Sequence, residues 1–197
     1  MNKIIYITFI CCFFLLSYSA FAEDSNFSQH IKVLEEKCYK NDYLSCYVAG
    51  QVLEDTNFIL LAISSYEKAC NNGIYESCVN LGKIYVKDYS KAIQNKGVKL
   101  LNTACDNNIA RGCANLGNIY YKGTIYKKNY KKAKKYYDKA CVLHDNAACF
   151  NLGVIYQQGT GVKKDNVTAL KYYKRACQHN FDKGCEMYKD LVRGIDR

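Results

Sequence analysis

The chain has 197 residues, with 28 Lys and Arg against 18 Asp and Glu for a net charge of +10, and it holds twelve cysteines but no proline. Without proline no helix has to be kinked, and without a Cys-x-x-Cys pair the usual form of a catalytic dithiol is missing. No recognised nucleic-acid motif accompanies the positive charge, so nucleic acid is not an expected partner.

The first element is a leader. Met1 to Ala22 carries one early cation, Lys3, then an apolar run through Leu16 and the small-residue site Ala20-Phe21-Ala22, the pattern of a secretory signal cleaved after Ala22. The apolar run is short for the ~20 residues that a membrane span needs. Thr8-Phe9-Ile10 before Cys11 and Cys12 do not form a lipoprotein cleavage box. The expected product is secreted or periplasmic, with no stable membrane anchor. Residues 23–27 are expected to form a mobile lead into a single folded domain over 28–197. Asp24-Ser25-Asn26-Phe27-Ser28 fits an extended acidic N-glycosylation sequon, whereas Asn166-Val167-Thr168 fits only the short one.

Ten cysteines remain, in five pairs with seven residues between partners: Cys38/Cys46, Cys70/Cys78, Cys105/Cys113, Cys141/Cys149 and Cys177/Cys185. An even number of cysteines in an exported chain reads as disulfides. Thiolate metal binding is the alternative, but zinc sites favour closer spacings, and His30, His144 and His179 share no register with the ladder. No metal and no cofactor is expected. On one continuous helix, residues eight apart would be separated by ~12 Å along the axis, too far for the ~7 Å limit between bridged Cα atoms, so a turn must lie between partners. Closing so short a loop stabilises by about 2.5 kcal/mol per bridge in the chain-entropy picture.

The ladder is also a repeat. First partners follow one another at 32, 35, 36 and 36 residues, a period at which a helix pair that cannot bury its own apolar face stacks on the next. Before the first cysteine stand Ala133-Lys-Lys-Tyr-Tyr-Asp-Lys-Ala-Cys141 and Ala169-Leu-Lys-Tyr-Tyr-Lys-Arg-Ala-Cys177; after the second stand Cys78-Val-Asn-Leu-Gly-Lys-Ile-Tyr85, Cys113-Ala-Asn-Leu-Gly-Asn-Ile-Tyr120 and Cys149-Phe-Asn-Leu-Gly-Val-Ile-Tyr156. At 100° per residue the Cys, Leu, Gly and Tyr of the second motif form one stripe, the expected packed face. Gly82, Gly117 and Gly153 recur on it as points of close approach. Tyr85, Tyr120 and Tyr156 are expected in the core, and one member of each Tyr136-Tyr137 and Tyr172-Tyr173 pair at the surface.

These motifs, with the turn Gly159-Thr-Gly-Val-Lys-Lys-Asp165, resemble Sel1-like repeats, relatives of the tetratricopeptide repeat, and the cysteine spacing resembles the cysteine-rich exported proteins of Helicobacter type. The resemblance covers almost all of the chain after the leader. It weakens in the first repeat, at Tyr47-Val-Ala-Gly-Gln-Val-Leu53, and at the short turn near Lys87 to Ser90. It implies an all-α fold, a right-handed superhelix of an N-terminal helix, four two-helix repeats and a C-terminal helix, with each bridge tying one repeat to the next. It implies a monomeric scaffold whose concave surface binds a peptide or protein, in host interaction or in cell-envelope assembly. Asn80, Asn115 and Asn151 correspond to the asparagine that holds ligand main chain in tetratricopeptide relatives; the alternative for each is a hydrogen bond to neighbouring backbone inside its own repeat.

The same resemblance brings an alternative, a penicillin-binding or beta-lactamase-type hydrolase. The one Ser-x-x-Lys match is Ser65-Tyr-Glu-Lys68, but neither Ser-Asp-Asn nor Lys-Thr-Gly accompanies it, and Ser65 falls at the register of Tyr136 and Tyr172. No catalytic residue is therefore assigned beyond this weak match, and the reading leans away from an enzyme. Eight lysines between Lys122 and Lys139, opposed only by Asp138, read either as a solvated outer helix or as a surface suited to an anionic cell-envelope component.

Overall fold

The computed structural model describes residues 25–195, so the leader read over residues 1–22 lies outside the described residues. Among them there are ten α-helices and no strand, as expected for an all-α repeat fold: α1 (Ser25–Tyr39), α2 (Tyr43–Asp55), α3 (Ile59–Asn71), α4 (Tyr75–Tyr85), α5 (Lys91–Asp106), α6 (Ala110–Lys122), α7 (Tyr130–Val142), α8 (Asn146–Gln158), α9 (Asn166–Gln178) and α10 (Asp182–Ile195). The first helix takes in the last three residues of the segment expected to lead into the fold. The chain divides into two compact units, residues 1–65 and 66–197, with α3 running through the division.

In the first unit α1 packs on α2, and Leu34, Cys46, Ala49 and Leu53 are buried. Asp42 caps α2, accepting the Ser45 N–H and hydroxyl. In the second unit the helices pack in hairpins, α4 on α5, α6 on α7 and α8 on α9, and each hairpin stacks on the next through α5 on α6, α7 on α8 and α9 on α10. The three helices that carry the Asn-Leu-Gly motif, α4, α6 and α8, also touch one another along the stack, α4 to α6 and α6 to α8.

All five cysteine pairs are bridged locally, Cys38 to Cys46, Cys70 to Cys78, Cys105 to Cys113, Cys141 to Cys149 and Cys177 to Cys185, with Cα atoms between 4.5 and 4.9 Å apart. One backbone motif builds every bridge. Three residues after each first cysteine, at Asn41, Gly73, Asn108, His144 and Asn180, φ is between 60° and 90°. The next N–H then reaches back five residues: Asp42 to Lys37, Ile74 to Ala69, Ile109 to Ala104, Asp145 to Ala140 and Phe181 to Ala176. This is the helix-ending geometry that glycine and asparagine adopt at least cost, and it swings the following helix back so that the second cysteine meets the first. His144 is the one side chain of another type accepted there.

The fifth bridge differs from the other four in burial. The stripe that begins at the second cysteine of a pair reads as a packed face, and Cys46, Cys78, Cys113 and Cys149 are indeed fully enclosed. Cys185 is not: it sits near the start of α10 and is only half-buried, as is its partner Cys177. Cys78 and Cys113 lie on helices, α4 and α6, that the next even helix also touches, whereas among the described residues no helix follows α10.

Within a hairpin the contact is a glycine against a large side chain. A Cβ on Gly117 would lie 2.6 Å from the Tyr137 ring, one on Gly153 2.5 Å from Tyr173, and one on Gly82 2.9 Å from Leu101. Tyr137 and Tyr173 are buried, and their hydroxyls donate to Asn118 Oδ1 at 2.8 Å and Gln157 Oε1 at 2.6 Å. The core tyrosine of each pair is thus the second. Tyr85, Tyr120 and Tyr156, expected in the core, are only half-buried. Each stands at the end of its helix, beyond the interlocked glycine, and Tyr120 and Tyr156 lie stacked on the first tyrosine of the pair, with centroids 5.7 Å apart.

Two stability outcomes follow from this packing. Gly153→Ala is expected to cost about 1–3 kcal/mol, since the Tyr173 ring has no room to yield, whereas Gly194→Ala, with nothing within 4 Å, stays within about 1 kcal/mol of the parent; urea unfolding of the oxidised proteins measures both. Removing one bridge as Cys141→Ala with Cys149→Ala is expected to cost about 2.5 kcal/mol by loss of loop closure, read from the same midpoints.

Candidate functional site

Three polar positions recur along the touching row of even helices. Asn80, Asn115 and Asn151 lie two residues after the second cysteine on α4, α6 and α8, but they are not equivalent. Asn80 is buried, and its Oδ1 accepts from Arg111 Nη2 at 3.1 Å. Asn115 is half-buried, and its Nδ2 donates to the Arg111 carbonyl at 2.7 Å. Arg111 thus links two asparagines across a repeat junction. One repeat later its register is filled by Ala147, so nothing of that kind reaches Asn115 Oδ1. Asn151 is half-buried and makes no side-chain hydrogen bond among the described residues. The open end of the row is therefore Asn115 and Asn151. Arg111 was not singled out from the sequence, where its register holds Leu44, Glu76, Ala147 and Lys183 beside the other bridges.

A second row runs along the odd helices. Three residues before the first cysteine stand Glu67, Asn102 and Asp138 on α3, α5 and α7, and each accepts a tyrosine hydroxyl from the next repeat: Tyr85 at 2.7 Å, Tyr136 at 3.1 Å and Tyr172 at 3.4 Å. In the first of these the donor changes because Leu100 occupies the place of Tyr136 and Tyr172. Tyr126 adds to the middle rung, stacking on Tyr120 and donating to Asn95 Oδ1 at 2.8 Å. Lys132 lies 5.0 Å over Tyr120, and Lys134 lies 5.5 Å over Tyr156 while pairing with Asp138 at 2.7 Å. Lys91 lies over Tyr126 and donates to the Ile125 carbonyl.

Where this tyrosine packing is incomplete, the surface opens. Leu100 leaves a cleft of about 280 Å³ lined by Glu67, Tyr85, Lys96 and Lys99. Val162, in the register of Tyr126, leaves one of about 510 Å³ lined by Tyr156, Lys163, Lys164 and Asp165.

Ser65 and Lys68 both sit half-buried on α3. Ser65 has the register of the stacking tyrosines Tyr136 and Tyr172, and Lys68 has that of Lys139 and Arg175, of which Arg175 donates to the Cys141 carbonyl of the preceding repeat at 2.9 Å. Both are positions that serve packing and junctions elsewhere in the chain. No cluster of three His, Cys, Asp or Glu side chains that could hold a metal occurs among the described residues. Asn26 lies where no side chain is described. Asn166 opens α9 half-buried, with its Oδ1 enclosed and unbonded.

Stacked helix hairpins that recur at a nearly constant period, each joined to the next by a disulfide, define a helical-repeat scaffold. The model of the Sel1 repeat matches residues 110–142 and 146–181. Among solved structures, Helicobacter pylori cysteine rich protein B is 34% identical with a TM-score of 0.52, over 64% of this chain and 91% of that one. The chain belongs to the Sel1-like repeat family. A Sel1 repeat protein from Oxalobacter formigenes is 25% identical with a TM-score of 0.66, over 75% of this chain. The protective antigen c5321 of uropathogenic Escherichia coli, described as having an SLR fold, is 21% identical with a TM-score of 0.74, over 84% of this chain. The chain spans only 62% and 36% of those two proteins respectively. No curated protein sequence matches it. Repeats of this family generally mediate protein–protein contact. The bridges indicate an oxidising, extracytoplasmic setting, and among the described residues no helix is long and apolar enough to cross a membrane.

Burial, reinforced by the Glu67 carboxylate, pushes the Tyr85 hydroxyl up to about 12, and burial pushes Tyr173 up to about 12 and raises Tyr137 as well. The unfolded chain releases these protons near the ordinary value of ~10, before the folded chain does. The contribution of these groups is therefore fully present below pH ~10 and lost progressively as pH rises from there past ~12. Urea midpoints of the oxidised protein at pH 8, 10 and 11.5 are expected to fall over the last interval, and less steeply in Tyr173→Phe.

Proposed function

We propose that this protein is an exported scaffold, with residues 1–22 as a cleaved leader, that acts as a monomer and binds an extended peptide segment of a partner protein along the even-helix row. The setting is host contact or assembly of the cell envelope. The observation that carries this reading is the interrupted asparagine row: Arg111 closes it at Asn80, Ala147 leaves Asn115 Oδ1 without such a link, and Asn151 makes no side-chain hydrogen bond among the described residues. A carboxamide both donates and accepts, so two of them one repeat apart can pair with successive peptide groups of an extended segment. Charge supports the same choice of ligand, because α4, α6 and α8 together hold one acid, Glu76, and three cations, Lys83, Arg111 and Lys122. This face reads shape and hydrogen bonds more than charge. Asn80 takes a different part, holding Arg111 across the junction.

The test uses the full oxidised protein and peptides selected from a random phage-displayed library. Asn115→Ala with Asn151→Ala is expected to weaken the selected peptides about 10- to 100-fold, at about 1 kcal/mol for each lost hydrogen bond. Asn80→Ala is expected to lower the urea midpoint and leave peptide affinity within about threefold, below the loss of one hydrogen bond. Peptides that bind the double variant as tightly as the parent would remove this face from the reading.

A further inference from the structure

Charge on the second unit is divided between its two sets of helices. The odd helices α5, α7 and α9 hold eleven Lys and Arg side chains and two acids, Asp106 and Asp138, and Asp138 is already paired with Lys134. The cations keep register. Lys99, Lys135 and Lys171 each stand six residues before the first cysteine of a bridge, and Lys96 and Lys132 each stand nine before it. Positions three apart are neighbours on one helix face, and all five lysines are exposed. None of them forms an ion pair among the described residues. Sustaining like charges in a row across three stacked hairpins costs self-repulsion, which an anionic ligand with a repeated charge would relieve.

The clefts beside this row narrow the ligand further. Each sets a tyrosine beside two lysines, Tyr85 with Lys96 and Lys99, and Tyr156 with Lys163 and Lys164. The carboxylates in them are engaged: Glu67 accepts the Tyr85 hydroxyl, and Asp165 caps α9 by accepting the Val167 and Thr168 N–H groups and the Thr168 hydroxyl. An aromatic ring with an apolar body and a polar tip, flanked by cations, suits a ring-shaped, hydroxylated, anionic unit. The two clefts belong to hairpins two repeats apart, a span of roughly 20 Å at ordinary helix spacing, so a chain of such units is needed to occupy both.

We propose that the odd-helix face of the second unit binds an acidic polysaccharide, its anionic groups on the row Lys99, Lys135 and Lys171 and its sugar rings in the clefts at Tyr85 and Tyr156. This site is separate from the asparagine row and stands whether or not that row binds peptide. Elution from immobilised dextran sulfate with rising salt, and titration with soluble dextran sulfate, measure it on the full oxidised protein. The triple variant Lys99→Gln, Lys135→Gln, Lys171→Gln is expected to bind at least about tenfold more weakly and with a shallower salt dependence, since fewer counterions are released. The triple arginine variant at the same positions is expected to bind like the parent. So is the charge-matched control Lys87→Gln, Lys183→Gln, Lys189→Gln, at exposed lysines outside the row. Uncharged dextran should not bind. Equal weakening in the two glutamine variants would reduce the effect to net charge and overturn the proposal. So would tighter binding of polyglutamate or of phosphatidylglycerol vesicles than of dextran sulfate at equal anion concentration, which would make the ligand an acidic protein or a membrane.

Discussion

The covalent link between residues eight apart is the constraint from which the rest of the structure follows. It can close only across a helix end that turns sharply, and the chain supplies that turn in the same way five times, with a left-handed residue three places after the first cysteine and a reach-back hydrogen bond from the residue after it. The angle between one hairpin and the next is thereby set locally, by a few backbone torsions and one bond, before any long-range packing is made. Stacking then has only to fill the space that the clamp defines.

What fills it is an alternation of absence and bulk. A missing side chain at Gly117 or Gly153 receives the ring of Tyr137 or Tyr173, and that interlock turns the even helices toward one another and the odd helices outward as bearers of the tyrosine rungs. The two rows consequently differ in chemistry. One is almost uncharged and carries carboxamides; the other is cationic and aromatic. Substitutions that interrupt a repeat, Ala147 for Arg111, Leu100 for a stacking tyrosine and Val162 for Tyr126, fall where each row becomes accessible. In a repeat protein such departures are informative because the surrounding copies show what the packing would otherwise require.

The helices, their hairpin order and the local bridges were legible in the sequence, because spacing and periodicity are properties of the chain alone. The assignment of the core tyrosine was not. Helical angle puts Tyr120 on the same stripe as Cys113 and Leu116, yet burial depends on what lies opposite, and only Tyr137 finds a glycine there. Cys185 teaches the same lesson from the other side, for it has the register of Cys113 and Cys149 but is only half-buried, with no helix after its own among the described residues. The asparagines could be read as a row but not as unequal, because the difference lies in Arg111, a residue whose part becomes visible only when two hairpins are stacked. The acceptors Glu67, Asn102 and Asp138 share a register that alignment of the repeats could have shown; their chemical variety, acid and amide, hid it.

The placing of the bridges also decides how the molecule meets a protease. Each sulfur link spans the bend between one hairpin and the next, so a cut between Cys141 and Cys149 leaves the pieces joined, whereas the bends at Gly123–Asn129 and Gly159–Asp165, inside a hairpin, have no such tether. Digestion would therefore trim this chain into whole cystine-linked corners, each made of the end of one hairpin and the start of the next, and those corners, more than the hairpins themselves, are the fragments that would persist.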